Sequence, residues 1–371
     1  MAIVLLAPVL PQMLADYAGV PGHEYLVPMI LTVPALCVAL LSPVAGMLGD
    51  YFGRRRLLII ALGIYAVVGL APIFLTDLFA IIASRVLVGI AEAFIMVLTT
   101  TMIGDYFEGA RRDKWLAAQT AVASVSALLF FNLGGILGSF GWRTPFWVYC
   151  SALIMLAAIV RFTWAAPAPS QRLHNASWDG FPWTKMLGII SVTIFASILF
   201  YTVQIQASGG LVALGLSNPA EIGFLTSIAS LGVPLGTFIY SRITGTRVSR
   251  MLTIEFAILG VGFLLMSRAT GTTSFLAGCA INQVGAGLLL PTLLVWAMSQ
   301  LRFEVRGRGA GLWTGAFSLG QFLSPIVVTF SAAQTGGLLA AFGVLAIAAF
   351  IALAAAIFSV IAGPKPQPAH G

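Results

Sequence analysis

One short stretch, Gly46-Met47-Leu48-Gly49-Asp50-Tyr51-Phe52-Gly53-Arg54-Arg55-Arg56, joins two long apolar runs, residues 26–48 and 57–75. A helix needs about 20 apolar residues to cross the hydrocarbon core of a bilayer, and each run is close to that length. The stretch is therefore predicted to be a tight basic turn between two membrane-spanning helices. Its arginines predict a cytoplasmic position, because loops retained in the cytoplasm carry an excess of Lys and Arg.

The composition of the whole chain supports a membrane protein. Of its 371 residues, 59% are hydrophobic and 8% are charged, whereas soluble proteins average about 25% charged residues. So few charges cannot cover a water-facing surface, which excludes a soluble globular protein. The high hydrophobicity also excludes intrinsic disorder. The 39 Gly and 18 Pro residues are compatible with this class, because membrane helices tolerate both.

Apolar spans recur along the entire chain and predict an all-α polytopic membrane protein. We predict twelve spans, with a polar insert after the sixth that divides them into two groups of six. The spans are residues 2–18, 26–48, 57–75, 78–102, 115–139, 145–165, 185–207, 221–241, 251–267, 273–298, 309–332 and 337–361. The predicted segments are an N-terminal six-helix bundle (1–165), a cytoplasmic central loop (166–184), a C-terminal six-helix bundle (185–363) and a cytoplasmic tail (364–371).

The basic residues are sorted to one side of the predicted bundle. With the N terminus inside, sixteen of the nineteen Lys and Arg residues face the cytoplasm, Arg143 and Arg268 face outward, and Arg85 lies within a span. This sorting explains the net charge of +7 better than nucleic-acid binding does. We expect an integral protein of a bacterial inner membrane with both termini in the cytoplasm. The first span contains Pro8 and Pro11 and lacks a basic inner flank, so the chain is expected to begin partway through its first helix.

Residues 46–56 resemble the signature G-x-L-x-D-r-x-G-r-k/r of the major facilitator superfamily, and they stand between the second and third spans as in that family. A weak internal repeat agrees with this resemblance, because Phe107-Glu108-x-x-x-Arg112 recurs 196 residues later as Phe303-Glu304-x-x-x-Arg308. Transporters are commonly built from such repeated units. The resemblance implies a major facilitator fold, in which two six-helix bundles surround a central cavity.

The resemblance further implies that the basic turn latches the two halves together on the cytoplasmic face. The latch residues would be Gly46, Asp50, Gly53, Arg54 and Arg55. Glycines such as Gly46 and Gly49 permit close helix approach, Gly53 allows a tight turn, and Asp50 can meet a basic side chain. A cluster of arginines that sets topology without forming a latch is the alternative.

Two ionisable residues of the fourth span are candidates for proton coupling. A charge at the bilayer centre costs about 2.5–3.5 kcal/mol on insertion scales, so such residues are functional candidates by default. Arg85 and Glu92 are seven residues apart, which places them on one helix face, and we expect them to face one aqueous cavity. The stretch from Arg85 to Gly89 resembles the family's fourth-helix motif R-x-x-x-G, which implies that Arg85 modulates proton affinity. We hypothesise that Glu92 carries the coupling proton; a permanent structural pair with a neighbouring helix is the alternative.

Uncharged polar and aromatic side chains within the spans are candidates for a substrate cavity. An amide inside a bilayer must find a partner, so it faces protein or water rather than lipid. The family resemblance implies that the first, fourth, seventh and tenth helices surround the cavity. The candidates are Gln204, Asn282, Tyr201, Gln283, Asn132 and Trp296. Hydrogen bonding between helices is the alternative interpretation of each residue.

Other residues are predicted to have structural roles. Glu255 lies about one turn into the ninth span, close to Arg250 and Arg242, and is expected to form an ion pair at the cytoplasmic end. Cys37, Cys150 and Cys279 are far apart in apolar spans and are expected to be buried free thiols. The sequence contains no metal-ligand motif, no nucleotide-binding loop and no nucleophile–base constellation. We therefore expect no cofactor, no metal site and no enzyme activity.

These features favour secondary active transport of a small organic solute. The turn and the fourth-helix motif resemble those of the twelve-helix drug and sugar exporters, which implies proton-coupled efflux by alternating access. Residues 130–135 keep only the final glycines of the G-P-x-x-G-G pattern of the antiporter branch. Proton-coupled uptake of a nutrient, such as a sugar or a carboxylate, is therefore an alternative, and a non-transporting membrane receptor is another. The expected partners are a small-molecule substrate, protons and the lipid bilayer, without nucleic acid, and we expect a monomer.

Overall fold

The computed structural model describes residues 2–164, 181–243, 246–302 and 305–362. Within these residues the chain consists of helices and connecting turns, without a β-strand. Residues 166–180 of the predicted central loop and the predicted tail, residues 364–371, lie outside the described residues.

Twelve helical segments follow one another along the described chain, and each coincides with a predicted span. In the first half they are α1 (2–16), α2 (His23–Phe52), α3 (Arg54–Phe74), α4 (Leu78–Tyr106), α5 (Gly109–Gly138) and α6 (Thr144–Phe162). In the second half they are α7 (Trp183–Ala213), α8 (Pro219–Arg242), α9 (Val248–Ser267), α10 (Thr272–Ser299), α11 (Arg306–Thr335) and α12 (Leu338–Ala362). Ten are long and apolar enough to cross a membrane, and α1 and α5 contain shorter apolar stretches, Ile3–Asp16 and Val125–Gly138. The predicted all-α polytopic fold is confirmed.

Local sequence signals account for several helix ends and breaks. Pro8 and Pro11 interrupt α1, because proline removes a backbone donor and restricts the preceding turn. The pieces of α1 are Ala2–Leu6, the 3-10 turn Ala7–Val9, and Leu10–Asp16. Asp77 begins α4 by accepting a hydrogen bond from a first-turn backbone N–H at 2.7 Å, and Asn218 begins α8 in the same way at 2.9 Å. Both residues are favoured helix N-caps.

Because consecutive helices run in opposite directions, their connections alternate between two ends of the bundle. At one end, named the Trp142 end, Trp142 Nε1 donates to Asp16 Oδ2 at 2.9 Å. At the same end, the Tyr17 hydroxyl donates to the carbonyl oxygen of Thr76 at 3.0 Å. The opposite end, named the Arg54 end, carries the basic turn between α2 and α3. A cytoplasmic location of the Arg54 end remains a prediction.

The buried side chains form two hydrophobic clusters. One is built mainly from α1 to α6 and the other mainly from α7 to α12, in agreement with two six-helix bundles. Helix α7 contributes to both, because Ile205 is fully buried in the cluster of the first half and Tyr201 packs against both clusters. The predicted segment boundaries at residues 165 and 185 remain predictions.

The two halves contact each other toward the Trp142 end. Helix α5 meets α8 at Gly135 and Gly223, where a methyl group added to either residue would lie within 2.6 Å of a backbone carbonyl oxygen of the other half. We name this pair the glycine contact. Helix α2 meets α11, where the Thr329 hydroxyl donates to the carbonyl oxygen of Glu24 at 3.3 Å. These contacts join the halves through the ends of helices that also form the Trp142 end.

Candidate functional site

Arg85 lies fully buried in the core of the first half. Its guanidinium group lies over the rings of Phe146 and Tyr149, 5.2 and 5.3 Å from their centroids. It also donates hydrogen bonds to the carbonyl oxygens of Val68 and Gly69 at 3.1 and 3.2 Å. A desolvated cation–π contact contributes about 2 kcal/mol, and hydrogen bonds made by a charged donor are stronger than neutral ones. Arg85 therefore connects α4 to α3 and α6.

The surroundings of Arg85 differ from the expected aqueous cavity. Arg85 and Glu92 do lie two helical turns apart along α4, but α3 and α6 cover Arg85, whereas Glu92 is partly exposed. Spacing along one helix fixes the shared face, while the neighbouring helices decide how deeply each residue is buried. A role for Arg85 in proton coupling remains a prediction.

Glu92 lies near the junction of the two halves. Its carboxyl group interacts electrostatically with Arg85 and Tyr65 in the first half, with Cys37 of α2, and with Tyr201 of α7. Tyr201 in turn packs against the buried clusters of both halves. A partly exposed carboxyl group at such a junction is more accessible than a fully buried group inside one bundle, which is reached only after its helices separate.

Four of the six cavity candidates are partly exposed, namely Tyr201, Gln204, Asn132 and Trp296. The ring of Tyr201 packs against the ring of Phe317 on α11, with 5.5 Å between centroids. Asn132 donates to a carbonyl oxygen one turn earlier in its own helix at 2.9 Å. Trp296 packs against the cluster of the second half. Among these candidates, Tyr201 is the one that interacts electrostatically with Glu92.

The other two candidates, Asn282 and Gln283, are fully buried inside the second half. Asn282 Nδ2 donates to the carbonyl oxygen of Leu259 on α9 at 3.2 Å. The Gln283 side chain lies against Gly232 of α8, where an added methyl group would be 2.8 Å from the Gln283 Cβ. In this state both residues join helices of one bundle, as the alternative interpretation of buried amides expects.

The basic turn is held by ion pairs within the first half. Gly53 has a φ of +91°, a conformation that favours glycine. Arg54 donates from Nε and Nη2 to Asp50 Oδ1 at 3.0 and 2.6 Å, and it also pairs with Asp105 of α4. One guanidinium group therefore joins the end of α2 to the end of α4.

Arg55 connects the same turn to the end of α6. Its Nε donates to Thr163 Oγ1 at 3.1 Å, and its Nη2 donates to the carbonyl oxygen of Val160 at 2.9 Å. Donation to the last carbonyl groups of a helix satisfies acceptors that have no partner within the helix. These contacts of the predicted latch lie within the first half, and a latch between the halves remains a prediction.

The two glycines before the turn differ in how closely α4 approaches them. A methyl group on Gly49 would lie 2.4 Å from the side chain of Leu98, whereas one on Gly46 would lie 3.7 Å from that of Val97. The second distance is an ordinary van der Waals contact. A side chain at 49 would therefore displace the end of the Leu98 side chain, whereas a methyl group at 46 fits without a shift.

A cavity of about 500 Å³ lies beside the basic turn at the Arg54 end. Its lining includes two basic residues, Arg54 and Arg112, and two acidic ones, Asp105 and Glu108. The opposite charges balance, so the lining does not favour either an anionic or a cationic ligand by net charge.

The prediction for Glu255 was wrong. Its side chain is fully buried in the second half, and its hydrogen-bond partner is the hydroxyl group of Thr292 on α10, 2.5 Å from Oε1. Arg250, by contrast, is exposed at the Arg54 end. Residues five apart lie about 140° apart around a helix, because each residue turns it by about 100°. Proximity in sequence therefore did not mean a shared face.

The cysteines are free in the structure, as expected, with Cys37 and Cys279 buried and Cys150 partly buried. No group of three or more potential metal ligands occurs among the described residues.

Comparison with known proteins identifies the family. The sequence profile of the Major Facilitator Superfamily matches residues 1–216, more than half of the chain. In Bacillus subtilis strain 168, the uncharacterized MFS-type transporter YceJ is 26% identical over 339 residues, which cover 88% of this chain and 84% of that protein. Multidrug resistance protein 2 of the same organism is 25% identical over 308 residues, 78% of this chain and 76% of its own.

A solved structure shows the same fold. It is that of a bacterial homologue of the human lysosomal transporter Spinster, in an inward-facing and occupied conformation. It matches with a TM-score of 0.76 over 99% of this chain and 96% of its own, at 13% sequence identity. At this identity the likeness concerns the fold alone. Together with the sequence profile, it establishes that this integral membrane protein belongs to the major facilitator superfamily.

Proposed function

We propose that the protein exports a small organic solute in exchange for protons by alternating access. The observation that carries this proposal is the position of Glu92, a partly exposed carboxyl group at the junction of the two halves and within electrostatic reach of Tyr201. An ionisable residue in the membrane interior is costly, and in transporters such residues mark proton or substrate paths.

The contacts between the halves support an inward-facing state in this proposal. The glycine contact and the hydrogen bond from Thr329 to Glu24 close the Trp142 end. If the Arg54 end is cytoplasmic, the junction at Glu92 opens toward the cytoplasm. Rocking of one six-helix bundle against the other would then expose the junction to the opposite side.

In this mechanism Glu92 takes up a proton on one side of the membrane and releases it on the other. Tyr201 and Gln204 of α7 are the proposed solute contacts, because both are partly exposed near the junction. An aromatic ring and an uncharged amide suit a neutral or amphiphilic compound. The likeness to a protein named for multidrug resistance supports export over uptake.

The test is substrate-induced proton movement in proteoliposomes that contain a pH-sensitive dye, measured across a panel of neutral and amphiphilic compounds. Glu92→Gln keeps the size of the side chain but cannot ionise, so we expect it to abolish transport driven by a pH gradient. Glu221→Gln, at an exposed acidic residue near the start of α8, is the matched control and should transport normally. Full gradient-driven transport by Glu92→Gln would refute the proton-carrier role.

The same assay separates the alternatives. Proton movement against the solute flux indicates an exporter, and movement in the same direction indicates an uptake system. Binding of a compound without flux or proton movement indicates a receptor.

A further inference from the structure

The second half contains a carboxyl group that the proposed mechanism does not use. Glu255 lies seven residues into α9, about 10 Å from the start of the helix at a rise of 1.5 Å per residue. Its exposed fraction is 0%, and its neighbours along α9 include Leu252, Phe256 and Leu259, which belong to the buried apolar cluster of the second half. A carboxyl group in such surroundings is costly when it is charged and unpaired.

The hydrogen bonds around Glu255 indicate where a proton lies. Thr292 Oγ1 is 2.5 Å from Glu255 Oε1 and 3.0 Å from the carbonyl oxygen of Leu288. A threonine hydroxyl has one proton to donate, so it cannot serve a carboxylate and a carbonyl oxygen fully at the same time. Glu255 Oε2 is buried and has no hydrogen-bond partner.

A proton on Glu255 Oε1 resolves this arrangement. The protonated carboxyl group would donate to Thr292 Oγ1, and Thr292 would donate its own proton to the carbonyl oxygen of Leu288. Each of the two protons then has an acceptor, and Oε2 becomes a neutral carbonyl oxygen. Burying a neutral carbonyl oxygen without a partner costs far less free energy than burying an unpartnered oxygen of a charged carboxylate.

The neighbouring elements supply no compensating cation among the described residues. Helices α10 and α12 pack against α9, and their only ionisable group is the thiol of Cys279. Glu255 interacts electrostatically with Tyr240 of α8. Helix α7 contacts α9 through the ring of Phe195. The tyrosine of α7, Tyr201, packs against the cluster of the first half and supplies no cation. The basic residues of these helices near the Arg54 end, all exposed, are Lys185, Arg242 and Arg250.

We propose that Glu255 and Thr292 form a proton-binding site of the second half, separate from Glu92, and that loss of its proton loosens α9 from α10. The ionised group would have to recruit water from the Arg54 end, which requires these helices to separate there. This site does not depend on the export of a solute, and it holds for an importer or a receptor as well.

Infrared spectroscopy of the purified protein in lipid tests the protonation. A protonated carboxyl group has a C=O stretching band above the amide I band, and a carboxylate lacks it. At neutral pH we expect the wild type to show a band that Glu255→Gln lacks and the control Glu221→Gln retains. Thr292→Val should shift this band to higher frequency, because the carboxyl proton loses its acceptor. Identical wild-type and Glu255→Gln spectra would overturn the proposal. Loss of the band on adding NaCl would also overturn it, because it would mean that the site binds a sodium ion in place of the proton.

Hydrogen exchange tests the loosening. Glu255→Gln is neutral at every pH, so comparing it with the wild type at each pH cancels the intrinsic pH dependence of exchange. We expect equal exchange at acidic pH and faster exchange in the wild type at alkaline pH, in peptides from residues 248–259 and 285–299. Equal exchange at alkaline pH would refute the loosening. Neither measurement requires a substrate, so failure here leaves the export proposal intact.

Discussion

Gly135 of α5 and Gly223 of α8 lie too close together for a methyl group on either residue. A Cβ atom on Gly135 would lie 2.5 Å from the carbonyl oxygen of Pro219, and one on Gly223 would lie 2.6 Å from that of Phe131. Real Cβ atoms do not occur at such distances from backbone atoms. Main-chain atoms of both halves therefore meet directly, and the space exists only while glycine occupies both positions.

We predict that Gly135→Ala and Gly223→Ala each favour the state in which the Trp142 end is open, because the added carbon fits only after the halves separate. Spin labels attached at Phe140→Cys and Ser217→Cys, in the α5–α6 and α7–α8 connections, report the separation by pulsed electron paramagnetic resonance. Each alanine variant should show a longer distance than the parent.

Gly63→Ala is the matched control, because nothing lies within 4 Å of a Cβ atom added there. It should leave the distance unchanged. If neither Gly135→Ala nor Gly223→Ala lengthens the distance, the glycine contact does not hold the Trp142 end closed.

We predict that Arg85→Ala lowers the stability of the first half. It would leave the carbonyl oxygens of Val68 and Gly69 without their side-chain donor, and each buried group left unpaired costs about 1–3 kcal/mol. Arg85→Lys should be intermediate, because an ammonium group lacks the planar fork of a guanidinium. Thermal unfolding in detergent measures the effect.

Arg268→Ala, at an exposed residue, is the control, and its stability should stay within about 0.5 kcal/mol of that of the wild type. An Arg85→Ala protein that unfolds like the wild type would contradict a structural role.

We predict unequal effects for two neighbouring arginines of the basic turn. Arg54 pairs with both Asp50 and Asp105, whereas Arg56 is exposed. Arg54→Ala should therefore lower the unfolding temperature more than Arg56→Ala. Asp50→Asn and Asp105→Asn should be non-additive, with a coupling of about 0.5–3 kcal/mol, because they share one partner. Strict additivity would mean that the two carboxylates act independently.

The fold was predictable because its determinants are local. Span length, the arginines at 54–56 and capping residues such as Asp77 are properties of short segments, and the helices begin and end close to the predicted positions. The family resemblance at residues 46–56 then led to the same fold as the structural comparison.

The candidate site was less predictable because burial depends on distant segments. No spacing on α4 indicates that Phe146 and Tyr149, about sixty residues later, surround Arg85. Glu255 was assigned to an ion pair at the cytoplasmic end from its sequence distance to basic residues, but its partner is Thr292, 37 residues away. A polar residue on a neighbouring helix leaves no periodic signal that could have revealed this pairing.

Ile205 sets a thermodynamic cost on any exchange between states. It belongs to α7, yet it is fully buried in the cluster of the first half. A motion that withdraws this side chain from the cluster into water costs about 1.5–3 kcal/mol. That cost alone corresponds to a population ratio of roughly 10 to 150 in favour of the closed form. A solute or proton must bind the open form more tightly by about that factor to make the two forms equally populated, and by about its square to reverse the ratio.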